Sequence, residues 1–264
     1  MSERIMWLGG DQPRHLYYIN EIAKEFDIAG GVMQERGNAI PVMDATLKAH
    51  DKHNMDKHFW DRKQAEDFYF GEQEPPKFPL LKVTKEELNT LNTAEFIKDI
   101  KPDLVLVFGT GMIREPLMSA LPKDTINLHL GLSPRYRGAA TLFWPFYFLE
   151  PNWAGTTFHY LVDTPDGGDI IHQVVPDLNV NDKIHDVACK AVVKSTAEAI
   201  RLLETFGEWK TYPQSPQAGK NFLESDFKPQ HLRIIYNVYD NDIVKRYLKG
   251  ELPGKEPKLK RQDI

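Results

Sequence analysis

The chain opens with short apolar runs on either side of a helical pattern. Residues 5–8 are continuously apolar, and residues 28–32 form a second run of the same kind. Between them, residues 14–26 repeat apolar side chains at the spacing of a helix, after a turn that contains Gly9 and Gly10. A strand, a glycine turn, a helix and a strand open a doubly wound sheet. The pattern predicts an α/β fold with a mostly parallel, Rossmann-like sheet.

The first glycine turn lacks the fingerprint of a dinucleotide site. That fingerprint needs Gly-x-Gly-x-x-Gly, whereas residues 9–13 read Gly-Gly-Asp-Gln-Pro. An NAD-dependent dehydrogenase is therefore the least favoured class of enzyme.

A second glycine turn follows a strand that should be buried on both faces. Residues 85–100 are predicted to form a helix, and residues 104–108 form a continuous apolar run typical of a central parallel strand. The run ends in Gly-Thr-Gly at residues 109–111. Ligands of open α/β sheets bind beyond the carboxyl ends of the strands, so this turn should line a crevice.

Residues 36–80 are more polar than the segments before them and are predicted to be an inserted helical region followed by a loop. His50, His53 and His58 suggest a metal site, but lysines lie between them and no cysteine or acidic cluster completes it, so a solvated helix is favoured. Residues 59–70 carry five aromatic side chains, which indicate either a core face or a surface for self-association as a homodimer.

Composition narrows the class of protein. The 264 residues have a formal net charge of -5, which argues against a nucleic-acid partner because neutralising phosphates requires an excess of Lys and Arg. The single cysteine, Cys189, excludes an intrachain disulfide and reads best as a buried thiol on a helix. Neither a signal peptide nor a membrane span is indicated, so we expect a cytoplasmic protein with no membrane partner.

Polar side chains interrupt two later strands. Residues 125–129 are predicted to form a strand in which Asn127 and His129 point to the same side, because side chains alternate with a period of two. A strand at residues 155–162 leads to a glycine loop that contains Asp166. An amide, an imidazole and a carboxylate can thus converge at one sheet edge, although an isolated Asn-x-His is usually a pair of local hydrogen bonders.

The wider pattern resembles the 10-formyltetrahydrofolate-dependent formyltransferase family. The segments that carry the resemblance are INLHLGLSPRYRGAATLFWPF (126–146) and GTTFHYLVDTPDGGDIIHQ (155–173). They match the family's Asn-x-His strand, Pro-x-Tyr-Arg-Gly loop and Asp-Gly-Gly loop in order, separation and content. The resemblance implies Asn127, His129 and Asp166 as catalytic residues, with Asp166 selected because it directly precedes the glycine pair.

The resemblance also implies ligands. The donor would be 10-formyltetrahydrofolate, with no metal, and the family binds its pterin ring largely through backbone groups. Two segments would line that pocket, and their residues are Thr110, Gly111, Met112, Ile113, Val162, Asp163, Thr164 and Pro165. On the residues alone, ordinary core packing would be preferred for Met112 and Ile113.

Two further side chains are candidates for substrate binding. His159 shares the strand that leads to Asp166, and a filled core position is an equal alternative for it. Arg137 and Arg135 flank Tyr136, and an exposed arginine pair suits an anionic group of the substrate.

The resemblance departs from the family's pattern at two positions. Gly131 stands where many members have serine, and Ser133 stands where they usually have leucine. These departures concern the local folate contacts.

The layout predicts a catalytic domain at residues 1–205, with the insertion at about 36–80, and a short C-terminal extension at 206–264. The extension is predicted to hold a helix at residues 241–249 and a mobile charged tail. It is smaller than the second domain of methionyl-tRNA formyltransferases, which favours a nucleotide-linked amino sugar as the amine acceptor. The alternatives are a 10-formyltetrahydrofolate hydrolase, a methionyl-tRNA or glycinamide-type formyltransferase, and a noncatalytic folate-binding module.

Overall fold

The computed structural model describes residues 3–37, 46–215, 218–252 and 254–264. The strands are β1 (Ile5–Gly10), β2 (Ile28–Gln34), β3 (Leu80–Val83), β4 (Leu104–Phe108), β5 (Thr125–His129), β6 (Tyr136–Gly138), β7 (Thr156–Tyr160), β8 (Ile170–Val174) and β9 (Lys220–Phe222). The helices are α1 (Pro13–Glu25), α2 (Ala49–Phe70), α3 (Leu91–Ile100), α4 (Trp144–Tyr147), α5 (Ile184–Glu204) and α6 (Ile243–Leu248).

A seven-stranded sheet forms the centre, in the order β3-β2-β1-β4-β5-β7-β8. The strands from β1 to β5 run parallel, whereas β7 pairs antiparallel with β5, and β8 pairs antiparallel with β7. The predicted α/β class with a mostly parallel sheet is confirmed. The small pair of β6 and β9 stands apart from this sheet.

Alternation along the strands divides the core between the two faces of the sheet. Ile5 and Trp7 of β1 pack in a cluster with the apolar sides of α1 and α5, whereas Met6 and Leu8 pack in another cluster with Ile97 of α3. The central parallel strands β1 and β4 are thereby buried on both sides, as continuous apolar runs require. Cys189 lies in the first cluster as the predicted buried thiol, and burial raises the pKa of its sulfhydryl group.

A separate apolar cluster joins α2 and α4 to the C-terminal region. The predicted helix of the insertion is present as α2, while residues 38–45 of that stretch lie outside the described residues. The prediction of a solvated helix is wrong at His58, which is buried and lies 3.0 Å from the Tyr236 hydroxyl. The aromatic segment of this helix is divided, since Phe70 is buried but Trp60 and Phe68 are exposed.

The C-terminal tail lies along β8 and is not the free segment that its charge predicts. The Gln173 N–H donates to the carbonyl of Lys260 at 2.8 Å, and the Lys260 N–H donates to Oε1 of Gln173 at 3.0 Å. The Gln262 N–H donates to Nδ1 of His172 at 3.0 Å. The first of these bonds pairs a backbone N–H of an edge strand that would otherwise be open, and the other two anchor the tail to side chains of β8.

Some predicted helices are shorter in the structure. The helix expected at residues 85–100 begins at Leu91, because the Glu87 carboxylate accepts from the Thr84 N–H at 2.9 Å and holds the preceding residues in a turn. The predicted helix at residues 241–249 is present as α6. None of the described helices is long and apolar enough to cross a membrane.

Candidate active site

Strand β5 presents Asn127 and His129 on the same face of the sheet. Their neighbours Ile126 and Leu128 point to the opposite face and pack in the cluster beneath α1 and α5. This division follows from the alternation of side chains along a strand. Polar groups therefore occupy the one side of β5 that the apolar core does not use.

Strand β7 adds a second pair of side chains to that face. In the antiparallel register, His159 lies opposite Asn127, and Thr157 lies opposite His129. Nδ2 of Asn127 is 3.1 Å from Nε2 of His159. The predicted pair thus meets a histidine from the neighbouring strand.

The loop after β7 returns over this face and brings Asp166 to the two histidines. Oδ1 of Asp166 is 3.3 Å from Nδ1 of His129 and 3.5 Å from Nε2 of His159. Its Oδ2 accepts the backbone N–H of Gly138 at 2.8 Å. The three predicted residues therefore converge as expected, although on a sheet face and not at its edge.

The loop depends on unusual backbone positions. Asp166 has φ of 48°, in the left-handed region that aspartate tolerates better than most residues. The Gln214 amide donates to the carbonyl of Asp166 at 3.1 Å and also bonds that of Gly168. A Cβ on Gly168 would lie 1.8 Å from the carbonyl oxygen of Tyr160, so only glycine allows the loop to approach β7 this closely.

The His129 ring lies between two hydrogen-bond acceptors. Nε2 donates to the carbonyl of Tyr136 at 2.9 Å, because a carbonyl oxygen can only accept, and Nδ1 faces Asp166. The side chain is 7% exposed. Both contacts stabilise the charged imidazolium, whereas burial opposes it.

Gly131 makes room for this arrangement. A Cβ at residue 131 would lie 2.5 Å from Nε2 of His129, 2.6 Å from the Tyr136 carbonyl oxygen and 2.7 Å from Cβ of Thr141. The glycine that departs from the resembled pattern therefore touches the imidazole itself and not only the surrounding loop.

Burial and neighbouring charges shift the pKa values of both His129 and Asp166. Burial lowers the pKa of His129 below its ordinary value, and the nearby Asp166 carboxylate only partly offsets this. Burial raises the pKa of Asp166, but the charges of His129 and His159 and the hydrogen bonds from His159 and Gly138 outweigh it and hold the pKa below its usual range. At neutral pH, Asp166 is ionised and His129 is mostly neutral.

The predicted substrate residues are less accessible than expected. His159 is only 1% exposed, and its Nδ1 contacts the carbonyl of Tyr160 at 2.9 Å, so its position does not favour direct contact with an acceptor. Arg137 is buried on β6, and its charge contributes to lowering the pKa of His129. Arg135 is exposed and forms two hydrogen bonds of 2.9 Å with Glu150.

The residues predicted for the folate pocket lie in the turn after β4 and in the loop after β7. After β4, the Gly111 N–H donates to Oε1 of Gln34 at 2.6 Å, and the carbonyl of Met112 accepts from the Asn89 amide at 2.9 Å. These two backbone groups are already paired inside the protein. Met112 is 45% exposed, so the core-packing alternative is wrong for it, whereas Ile113 is buried.

The second predicted segment follows β7. Leu161 packs against the same apolar cluster as Ile113, so the loop after β7 and the turn after β4 lie on the same face of the sheet. Val162 is 40% exposed, and Asp163 and Thr164 are exposed beside it. Within the part of the chain that the structure describes, no group of three or more His, Cys, Asp or Glu side chains is arranged to hold a metal ion.

Comparison with known proteins assigns the chain to a family. The model of the formyl transferase family matches residues 29–200, a span that includes Asn127, His129 and Asp166. This chain belongs to the formyl transferase family. The predicted family is confirmed.

One curated relative within the family is the methionyl-tRNA formyltransferase of Clostridioides difficile (strain 630). It is 32% identical over 146 residues, which are 54% of this chain and 45% of the relative. The chain spans about half the length of the curated relatives it matches.

Solved structures of formyltransferases share the fold. Phosphoribosylglycinamide formyltransferase from Anaplasma phagocytophilum matches with a TM-score of 0.55 and 17% identity, covering 81% of this chain and 100% of that one. The formyltransferase PseJ from Anoxybacillus kamchatkensis matches with a TM-score of 0.51 and 18% identity, covering 92% of this chain and 96% of that one. At these identities, the likeness concerns the fold alone.

Several residues that support the candidate site were missed by sequence reasoning. Gln214 supports the Asp166 loop from 48 residues away, and Gln34 and Asn89 support the turn after β4 from other segments. Single glutamine and asparagine residues in polar surroundings carry no pattern that would single them out. The one available signal was Gly131, whose departure from the resembled motif marked a real contact.

Proposed function

We propose that the protein transfers a formyl group from 10-formyltetrahydrofolate to a primary amine. The observation that carries the proposal is the convergence of Asn127, His129 and Asp166 on one sheet face of a formyl transferase family fold. An amide donor, an imidazole and an ionised carboxylate suit acyl transfer to an amine without a covalent intermediate.

The proposed reaction conserves atoms and electrons without an oxidant or reductant. The lone pair of the neutral amine forms a bond to the formyl carbon, and the bond from that carbon to the folate nitrogen breaks, its electron pair going to that nitrogen. The proton lost by the amine moves to the departing nitrogen. The products are a formamide and tetrahydrofolate.

Asn127 and His129 have separate roles in this proposal. The Asn127 amide donates an N–H to the oxyanion that develops on the formyl group, a contact typically worth about 3 kcal/mol in the barrier. With its proton on Nε2, a neutral His129 has a lone pair on Nδ1, the nitrogen that faces Asp166, and this lone pair can accept a proton. The imidazolium so formed is held by the Tyr136 carbonyl and by Asp166.

The donor pocket is proposed for the crevice between the turn after β4 and the loop after β7. Two large apolar side chains, Met112 and Val162, are exposed there, one from each segment. Exposed apolar side chains on both sides of a cleft suit a flat heteroaromatic ring. The same residues, with the backbone of Thr110 and Thr164, would hold the pterin.

The acceptor is proposed to be a nucleotide-linked amino sugar. The PseJ crystal holds UDP-4,6-dideoxy-4-formamido-L-AltNAc together with tetrahydrofolate, and this sugar nucleotide is the formylated form of such an acceptor. The net charge of -5 also disfavours a transfer RNA, whose phosphates favour a basic surface.

The function is tested by incubating the protein with 10-formyltetrahydrofolate and a panel of nucleotide-linked amino sugars. Tetrahydrofolate formation and formamide product are measured together, with methionyl-tRNA and glycinamide ribonucleotide as competing acceptors. Formate release without any acceptor would instead identify a hydrolase, and the absence of turnover with every acceptor would identify a binding module.

We predict that His129→Ala and Asp166→Ala abolish transfer while the proteins stay folded. Each change removes a group that carries or stabilises the transferred proton, and catalytic groups of this kind contribute about 100-fold or more. Asp169→Ala is the matched control, because Asp169 is an exposed aspartate of the same loop. Near-normal turnover of either catalytic variant, with circular dichroism unchanged, would remove the mechanism.

A further inference from the structure

The C-terminal extension lies against the loop that carries Asp166. Tyr212 of the extension forms a backbone bridge with Ile170 at the start of β8, and the N–H of each residue donates to the carbonyl of the other at 2.9 Å. Gln214 follows two residues later and is half-buried. A residue outside the predicted catalytic domain is therefore anchored beside a predicted catalytic group.

The loop at Asp166 has a backbone that requires support. Asp166 is in the left-handed region, at φ of 48°, which costs free energy for a residue with a side chain. Gly167 and Gly168 follow it, and glycine has the widest choice of backbone conformations. Within the loop, the Gly167 N–H donates to the Thr164 carbonyl at 3.1 Å. The carbonyls of Asp166 and Gly168 are paired with another segment of the chain.

The side-chain amide of Gln214 supplies both partners. Its Nε2 donates to the carbonyl of Asp166 at 3.1 Å and also to the carbonyl of Gly168. Because carbonyl oxygens can only accept, the amide must present its NH₂ group, and not its oxygen, to the loop. One side chain thus holds the peptide units that enter and leave the glycine pair.

The extension also supports the group that binds the Asp166 carboxylate. Oδ2 of Asp166 accepts the N–H of Gly138, which lies on β6 opposite Phe222 of β9. The Ala139 N–H donates to the Phe222 carbonyl at 2.7 Å. A Cβ on Gly138 would lie 2.2 Å from that oxygen, so the two strands approach closely. The backbone and the carboxylate of Asp166 therefore both meet groups that the extension contacts.

We propose that Gln214 is a positioning residue that holds the Asp166 carboxylate in its place between Gly138 and His129. This inference rests on the proposed function, because it explains how the carboxylate of that site is kept in position. Gln214 does not touch the reacting atoms, and it acts through the backbone of the Asp166 loop. A residue of the C-terminal extension is thereby added to the support of the catalytic domain.

The first test removes the two donors of Gln214 and keeps its length. We expect Gln214→Met to lower kcat about tenfold or more, because small displacements of a catalytic group have effects of that size. KM for the acceptor amine should stay within about twofold of the wild-type value, because the lost bonds are made to the loop and not to the acceptor. Steady-state kinetics with the acceptor varied measures both constants.

Asn20→Leu is the matched control. Asn20 is also half-buried, and its amide also donates to two oxygens, Oε1 of Gln73 at 3.2 Å and the carbonyl of Glu74 at 2.9 Å. These oxygens belong to the segment that follows α2, so Asn20→Leu should leave kcat close to that of the wild type. An equal loss of kcat in the two variants, or an unchanged kcat in Gln214→Met, would overturn the proposal.

The second test requires no catalysis. Hydrogen exchange at the Gly138 amide reports whether the Asp166 carboxylate is in place, because that carboxylate accepts the Gly138 N–H. In Gln214→Met this amide should exchange faster than in the wild type, towards the rate found in Asp166→Ala, which lacks the acceptor. In Asn20→Leu it should exchange at the wild-type rate. Wild-type protection of the Gly138 amide in Gln214→Met would overturn the inference.

The wild-type protein gives a measurement that depends on no variant. The side-chain amide hydrogens of Gln214 should exchange more slowly than those of the exposed Gln230, because they are hydrogen-bonded to the loop. Equal exchange rates would overturn the inference even if Gln214→Met proved too unstable to assay. If the wild type transfers no formyl group to any acceptor, the proposed function fails, while exchange at Gly138 and Gln214 still decides whether Gln214 holds Asp166.

Discussion

At the scale of single residues, the space beside residue 131 decides how the His129 ring lies. The ring nitrogen, the Tyr136 carbonyl and Thr141 surround the position that a Cβ would take. A Cβ there would therefore meet both partners of the bond from His129 to Tyr136. A side chain at residue 131 would have to displace the ring or the backbone of β6.

We predict that Gly131→Ala lowers both stability and kcat. Forcing a methyl group into this contact should cost about 1–3 kcal/mol of unfolding free energy, as overpacking usually does. The displaced imidazole should lower kcat about tenfold to a hundredfold, because small misplacements of catalytic groups have effects of that size. Urea unfolding and steady-state kinetics measure the two effects.

The control for this prediction is Gly207→Ala. Gly207 has φ of 90°, and a Cβ there meets nothing within 4 Å, so alanine should strain the backbone after α5 without reaching the site. It should lower stability but leave kcat unchanged. A Gly131→Ala variant that behaves in the same way would contradict the role of residue 131 in placing His129.

Some residues of the site could be predicted from the sequence and others could not. Strand alternation is enough to place Asn127 and His129 on one side, because the period of two is local. Asp166 needed the family resemblance, since a loop folds back by contacts that no local pattern records. The burial of His159 and the support from Gln214 depend on which strands become neighbours, and they became visible only in the folded chain.

At the scale of elements, helix α2 is held by polar contacts along one side. Asp51, Asn54 and His58 lie at helical spacing and are all buried. Asp51 accepts two hydrogen bonds from Arg233, at 2.7 and 2.6 Å, and Asn54 donates to Asn237 at 2.8 Å. Because these side chains are polar, hydrophobic periodicity could not reveal the buried face.

We predict that Asp51→Asn lowers the melting temperature. The hydrogen bonds from Arg233 hold the pKa of Asp51 below its ordinary value against the opposing effect of burial. Stability from this pair is therefore fully present above the unfolded pKa of about 3.9 and is lost as the pH falls through the lower folded value. Thermal unfolding at neutral pH measures the loss.

Asp67 of the same helix gives the comparison. It pairs with Lys63 on the exposed side, where ion pairs contribute little. Asp67→Asn should leave the melting temperature nearly unchanged. If Asp51→Asn and Asp67→Asn both have the melting temperature of the wild type, the contact with Arg233 does not hold the helix in place.

At the scale of the whole molecule, several histidines are buried in a neutral state. They lie in different parts of the fold, and they are His15, His58, His172 and His185. Burial lowers the pKa of His58 to about 3 and that of His172 to about 4. Burial also lowers the pKa of His15 and of His185 well below the ordinary value.

We predict that the protein loses stability as the pH falls below neutrality. Unfolded histidines take up protons near about pH 6.5, whereas these folded ones do not until much lower pH, so acid favours the unfolded state. Each such histidine adds up to about 1.4 kcal/mol of lost stability per pH unit in that window. Urea unfolding from about pH 7.5 to about pH 4.5 measures the slope.

A pair of variants identifies the source of the slope. His58→Gln can still bond the Tyr236 hydroxyl but cannot be protonated, so its stability should fall less steeply with acid. His53→Gln replaces an exposed histidine of the same helix and should follow the wild-type slope. A constant unfolding free energy across this range would contradict the burial of neutral histidines.

The fold class and family were accessible from the sequence because strand and helix periods and two long motifs agree. The boundary of the catalytic domain near residue 205, the homodimer and the cytoplasmic location stay predictions. The tail along β8 shows why charge alone misleads, since the backbone carbonyl of Lys260 accepts from the Gln173 N–H whatever charge the side chains of the tail carry. Such backbone pairing leaves no compositional trace.

The pairing of β5 with β7 has an evolutionary consequence. Asn127 and His159 meet only in one alignment of the two strands, and inserting or deleting a single residue in either strand would turn one of them to the far side. Length changes should therefore accumulate among homologues in the connecting loops and be purged from these two strands. New acceptors could be acquired by rebuilding the loops, while the chemistry beneath them is inherited intact.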